Sequence, residues 1–196
     1  MPTISSKLSR EQTIQEEEYA IPYHYRGLFS EEHGLLRDIE YEDYLQRVKD
    51  ELSPAHGKTV LDVGCGDGRF FYELRNEKMD LVGLDYSNEA IRFAQAFNPR
   101  AHFFCEDIHS FKHARKFDFI TLIEVMEHFP PEKIPKILLS LRKHLKSNGK
   151  LIVTVPSTRR ARVEKHYQHF TQKTLRETLS PVFNVVEVKG YSKLGK

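Results

Sequence analysis

The chain has 196 residues, enough for one domain with a full hydrophobic core and too few for two of ordinary size. Charged residues make up 30% against 39% hydrophobic, and neither a membrane-length apolar run nor a secretory signal between Met1 and Tyr19 is present, so a soluble protein is expected. The net charge of +2 makes no general case for nucleic acid, and two cysteines, Cys65 and Cys105, fit a reducing cytoplasm.

In chain order, Met1 to Glu18 is polar and without apolar periodicity, and is expected to fray. Tyr19 to Phe29 is aromatic, with Tyr19, Ile21, Tyr23, Tyr25 and Phe29 interleaved with His24 and Arg26; such a segment needs a surface to cover and reads as a lid. Tyr41, Tyr44, Leu45, Val48 and Leu52 recur at three- and four-residue steps, the stripe of an amphipathic helix that Ser53, Pro54 and Gly57 end. Residues 1–57 thus form an N-terminal extension, lid and helix, ahead of a domain over residues 58–196.

From Lys58 onward, strand-length runs alternate with helical ones. Thr59 to Val63, Leu81 to Leu84, His102 to Cys105, Phe117 to Val125 and Leu151 to Val155 are apolar on both faces, as strands inside a parallel sheet are. Between them Arg69 to Arg75, Glu89 to Phe97 and Glu132 to Lys146 read as helices, the last with Asn148 and Gly149 as its stop. Thr171 to Leu179 is a further helix with Thr171 as N-cap, and Phe183 to Val188 reads as a sixth strand. The pattern gives an α/β, doubly wound, Rossmann-like fold: a mostly parallel sheet with helices on both faces.

The sharpest local feature is Leu61-Asp62-Val63-Gly64-Cys65-Gly66-Asp67-Gly68-Arg69, a strand running into a glycine-rich turn and then a helix. Gly64 and Gly66 suit the turn's backbone angles, and a Cβ there is expected to intrude on a ligand. A dinucleotide site would carry a third glycine where this chain has Arg69, which disfavours a nicotinamide-dependent oxidoreductase. Cys65 reads as a small residue that the turn accepts, since nothing near it in sequence would make it a thiolate. Asp85 closes the second strand, where a carboxylate can accept from both hydroxyls of a ribose. Tyr86 beside it either stacks on a base or packs at the sheet edge.

These motifs resemble the class I S-adenosylmethionine-dependent methyltransferases, in particular bacterial type 11/12 methyltransferase domains and the ubiquinone-pathway O-methyltransferases, over about Lys58 to Val188. The resemblance implies that Gly64, Cys65, Gly66, Asp85 and Tyr86 hold S-adenosylmethionine. It also implies that Asp107 accepts from the adenine amine, that Ile108 covers the ring, that Asp62 lies under the methionine ammonium and that the Ile123 backbone lines the methionine arm. S-adenosylhomocysteine would be the product. Relatives usually finish with a seventh strand antiparallel to the sixth; this chain stops at Lys196, so that strand is expected to be missing or replaced.

Methyl transfer from a sulfonium needs positioning and, for a hydroxyl or ammonium acceptor, a base. The candidates lie after the fourth and fifth strands: Glu124, Glu127 and His128, then His166 and His169. Glu124-x-x-Glu127-His128 resembles a signature of small-RNA 3′-end ribose methyltransferases and ubiquinone-pathway enzymes, some of which hold a divalent metal with it; here the metal is the less favoured reading. Arg159, Arg160, Arg162 and Lys165 suggest an anionic small-molecule or glycan-precursor acceptor, with RNA as an alternative, or merely a solvated loop. A module that binds S-adenosylmethionine without turnover is the remaining alternative.

Overall fold

The computed structural model describes residues 8–25 and 35–190, with the backbone alone for 35–40. Arg26 and Phe29 of the expected lid, and any strand beyond Gly190, lie outside these residues. The sheet has five strands: β1 (Thr59–Val63), β2 (Asp80–Asp85), β3 (His102–Cys105), β4 (Phe117–Ile123) and β5 (Leu145–Thr154), in the order β3-β2-β1-β4-β5. Every pairing is parallel. The chain winds outward from β1 to β3 and then returns to the other side at β4. The carboxyl ends of β1 and β4 therefore flank the switch point, where open α/β sheets take their ligands.

Helices cover both faces: α2 (Leu35–Glu51), α3 (Arg69–Glu73), α4 (Asn88–Phe97), α5 (Ile134–His144) and α6 (Gln172–Leu179). The alternation of β1 divides the core. Val60 packs with Leu45 and Val48 of α2, with Leu52 just after it, and with Phe70, Phe71 and Leu74 in and after α3. Leu61 and Val63 point the other way, to Ile134, Ile137, Leu138 and Leu141 of α5 and Leu179 of α6. The amphipathic stripe of α2 is thus spent on the sheet.

Three expectations are corrected. Residues 10–18 are not frayed: they form α1 (Arg10–Glu18), opened by a capping box in which Ser9 Oγ accepts from Gln12 N and Gln12 Oε1 accepts from Ser9 N. The helix α1 buries no residue of its own, so its polar composition gives no periodic signal. The helix before β5 ends at His144, not near Lys146, and the chain enters β5 at Leu145. Gly149 sits in that strand's irregularity, where the partners step from Phe117 with Leu145 to Phe119 with Lys150, and a Cβ on it would stand 3.0 Å from the Asp118 carbonyl. Finally, Phe183 to Val188 joins no ladder. Phe183 and Val185 pack on the core through their side chains, the Val185 carbonyl accepts from Arg176 Nη1 at 2.9 Å, and Val186 is 89% exposed. Apolar alternation met a packing surface there but no strand edge.

Thr171 caps α6 as expected, its Oγ1 accepting from Thr174 N at 3.0 Å while Thr174 Oγ1 accepts from Thr171 N at 2.9 Å. Thr171→Ala should lower stability by about 1 kcal/mol. The check is a shift of the urea midpoint at unchanged slope.

Candidate functional site

The turn after β1 has left-handed backbone at Gly64 (φ 73°), Gly66 (φ 55°) and Gly68 (φ 77°), which only glycine adopts without strain. It rests on Asp85, whose Oδ2 accepts from Gly66 N and Oδ1 from Ser87 N, each at 2.9 Å. Burial pushes the Asp85 carboxyl up to about 6, against the pull of those two N–H groups. Asp62, within β1, accepts from Thr121 Oγ1 at 2.6 Å, and burial raises it to about 7. Burial also pushes the Cys65 thiol up, with the Asp85 and Asp62 charges adding to it, so this cysteine is no thiolate. Space beside the glycines is needed by the protein itself: a Cβ on Gly64 would lie 2.5 Å from Val125 Cγ2, and one on Gly66 2.5 Å from the Tyr19 hydroxyl.

Arg69 explains why the third dinucleotide glycine is absent. Its side chain is 2% exposed, pairs with Glu42 and Glu73, and faces the Tyr25 and Tyr72 rings at 5.7 and 5.8 Å. It staples α2, α3 and the aromatic segment together.

A cavity of about 1040 Å³ opens over this edge. Single drug-sized ligands occupy pockets of about 300–1,000 Å³, so this one has room for a nucleoside and a small second molecule. All the expected cofactor residues line it: Asp62, Gly64, Cys65, Gly66, Asp85, Tyr86, Asp107, Ile108 and Ile123. Asp107 Oδ1 also holds the turn after β3 by accepting from His109 N at 2.8 Å. The Tyr86 ring lines the cavity while its hydroxyl donates to the Gln12 carbonyl of α1 at 3.2 Å.

Glu124, His128, His166 and His169 line the other end. Glu124 has φ 55° without being a glycine, and its N–H is held by Thr154 at both the carbonyl (3.2 Å) and Oγ1 (3.1 Å). That turn leads into a single 3₁₀ turn, Met126–His128, not a longer helix. Burial raises Glu124 to about 7, and burial together with the Glu124 charge raises Glu127 further; both Glu127 oxygens are buried without a partner. The loop carrying His166 docks on this turn, with Tyr167 N donating to the Glu127 carbonyl at 2.9 Å.

Carbonyl contacts fix the imidazole tautomers, because a carbonyl only accepts. His128 Nδ1 must donate to the Lys165 carbonyl (3.1 Å) and His169 Nδ1 to the Arg160 carbonyl (3.2 Å). His169 Nε2 then accepts from His166 Nδ1 at 2.9 Å. The Nε2 lone pairs of His128 and His166 remain, and the two rings meet edge to face at 4.7 Å. Burial pushes His128 down to about 4 and His166 to about 3, so both are free bases at neutral pH. One ligand atom each of Glu127, His128 and His166 lies within 4.8 Å of the others, a donor set that fits a divalent cation.

Other functional contacts escape sequence reasoning. α1 spans the cavity mouth: Glu11 accepts from the Tyr167 hydroxyl at 2.7 Å, Glu18 pairs with Lys165, and Arg10 with Glu164. His24 is fastened to Asp67, its N–H at 3.1 Å and its Nδ1 at 3.0 Å from the two carboxylate oxygens. Tyr25 is fully buried, stacked on Phe97 at 4.2 Å, so this part of the aromatic segment completes the core instead of standing clear of it. Of the basic loop residues, Arg160 and Lys165 line the cavity; Arg159 and Arg162 do not, and Arg162 holds the Tyr167 carbonyl. No helix among the described residues is long and apolar enough to cross a membrane.

Residues 36–190 match the family described as a methyltransferase domain. The tRNA U34 carboxymethyltransferase of Aeromonas hydrophila subsp. hydrophila is 34% identical over 132 residues, covering 62% of this chain and 39% of that protein. The ubiquinone biosynthesis O-methyltransferase of Rickettsia typhi is 25% identical over 138 residues, covering 66% of this chain and 55% of that protein. The chain thus spans about half or less of the length of these curated relatives. Magnesium protoporphyrin IX methyltransferase from Synechocystis PCC 6803, solved with bound S-adenosylmethionine, shares the fold at a TM-score of 0.68 and 18% identity over 90% of this chain and 88% of its own. With its parallel sheet, glycine turn and strand-end carboxylates in this arrangement, the chain belongs to the methyltransferase domain family and has a Rossmann-like fold.

Proposed function

We propose that this chain transfers the methyl group of S-adenosylmethionine to an oxygen or nitrogen of a small anionic acceptor. The observation that carries this reading is one cavity with nucleoside-type acceptors, Asp85 and Asp107, at one end and unprotonated imidazole nitrogens at the other. The sulfonium supplies an activated methyl group. The protein's part is to hold the acceptor in line and remove its proton: His128 or His166 takes it at Nε2, and Glu124 orients the acceptor. As the acceptor's bond to the methyl carbon forms, the carbon–sulfur bond breaks and the electron pair leaves on the thioether. Lys133 and Arg160 line the same cavity and support an anionic group remote from the reacting atom, while Lys165 there is already paired with Glu18.

A cavity bridged by α1 favours a small acceptor over RNA. Incubation with labelled S-adenosylmethionine should methylate carboxylated or phosphorylated phenols or amines and leave bulk tRNA unlabelled. Label on tRNA alone would overturn the acceptor class. The Glu127 carboxyl, whose two oxygens have no hydrogen-bond partner and whose Oε1 lies 3.9 Å from His128 Nε2, favours a second reading, in which Glu127, His128 and His166 hold a divalent cation that positions the acceptor's oxygen. Activity lost to a chelator and restored by one cation would establish that arrangement, and activity indifferent to chelators would exclude it.

A further inference from the structure

The proposed function uses one edge of the sheet and leaves the outer face of α5 without a task. That helix buries Ile134, Ile137, Leu138, Leu141 and His144. Its other side carries Lys136, Leu139, Arg142 and Lys143, all exposed, Leu139 at 54%. Lys133, at its N-cap, lines the cavity, so this face starts beside the site. At its far end the loop between β3 and β4 adds Lys112 and Lys116: the Phe111 ring stands 5.3 Å from the His144 ring, and Phe117 pairs with Leu145. Across residues 108–118 and 131–150 the acids are Glu132 and Asp118, and Asp118 is held by Lys58 and Lys146. Lys112, Lys116, Lys133, Lys136, Arg142 and Lys143 are exposed and have no ion pair among the described residues.

Helix stability accounts for only part of this charge. Arg142 and Lys143 suit the negative end of the helix dipole, but Lys133 and Lys136 stand at its positive end, where cations are disfavoured and no acid offsets them in the first turn. Unpaired cations gathered on one face of a chain whose net charge is only +2 match an anionic partner. Five of the six are lysines, point charges on aliphatic stems, in place of the planar forks with which arginine grips nucleic acid. Among them stands an aliphatic side chain, Leu139, and no phenylalanine, tyrosine or tryptophan on which a base could stack. We infer that the outer face of α5, with the 112–116 loop, docks on an anionic lipid surface, the lipid phosphates meeting the cations and Leu139 reaching beneath them. This holds independently of the cofactor reading, and it sets the cavity, through Lys133, beside the docked face.

Sedimentation of the full chain with vesicles of phosphatidylcholine and phosphatidylglycerol in equal parts tests it. The chain should sediment with them, stay in solution with vesicles of phosphatidylcholine alone, and be released as salt is raised. Lys136→Gln/Arg142→Gln/Lys143→Gln should weaken the binding about 100-fold, from about fivefold for each cation near the surface, with unchanged circular dichroism. Arg47→Gln/Arg75→Gln/Arg92→Gln removes as many exposed charges from α2, from the turn after α3 and from α4, and should bind as wild type does. No sedimentation with the anionic vesicles, an equal loss in the two triple variants, or tighter binding to a mixed-sequence RNA duplex than to the vesicles would overturn the assignment.

Discussion

Asp85→Ala should weaken S-adenosylhomocysteine by about 1.5–3 kcal/mol, roughly 10- to 150-fold, as loss of a charged hydrogen-bond partner does. The carboxylate has two tasks. In the proposed function it offers lone pairs to the ribose hydroxyls, and it already fixes the turn through Gly66 N and the start of α4 through Ser87 N. Removing it strands both N–H groups, so the variant loses a ligand contact and the shape of the turn together. The same carboxyl gives a pH signature. Burial holds it at about 6, so its charged form, the better acceptor, is lost as pH falls through that value. Affinity should be lower at pH 5 than at pH 8. An Asp85→Ala protein that binds as tightly as wild type would place the nucleoside elsewhere.

His128→Ala should cut the methylation rate by about 10² to 10⁴, the usual contribution of a general base, while S-adenosylhomocysteine affinity stays unchanged. The basis is geometric. His128 and His166 present unprotonated Nε2 atoms to one space because carbonyl contacts hold His128 and His169 in defined tautomers, and His169 in turn orients His166. A loss confined to His166→Ala would move the base to that ring, with His169 as its orienting partner. Normal turnover by both His128→Ala and a His166→Ala/His169→Ala double variant would refute the role altogether. Because both rings titrate well below neutrality, neither should cause a rate loss between pH 8 and pH 6.

The sequence was informative where local chemistry and tertiary structure agree. Gly64 and Gly66 need left-handed backbone, Asp85 ends a strand, and the α2 stripe had a sheet to cover; each is a local rule that the fold obeys. α1 was missed because its stability comes from a cap and from contacts with distant residues, not from an apolar face. Ser9 and Gln12 did carry the serine-x-x-glutamine signature of a capped start, the one local trace of it. Phe183 to Val188 failed the other way: its composition suits a strand, but pairing depends on a neighbouring edge that no local pattern records. The bond between His24 and Asp67, 43 positions apart, had no local signal either. The Glu-His cluster was half legible, since Glu124 to His128 is contiguous but its meeting with His166 depends on how the loop after β5 returns.

A left-handed backbone at a glutamate disfavours the folded state by roughly 1–3 kcal/mol relative to a residue at ease there. At Glu124 that strain is sustained by the paired contacts to Thr154, on the neighbouring strand. On the proposed function, the acceptor end of the cavity is consequently preorganised: its carboxyl and imidazole groups are set before any substrate arrives, and little reorganisation is left for the moment of reaction.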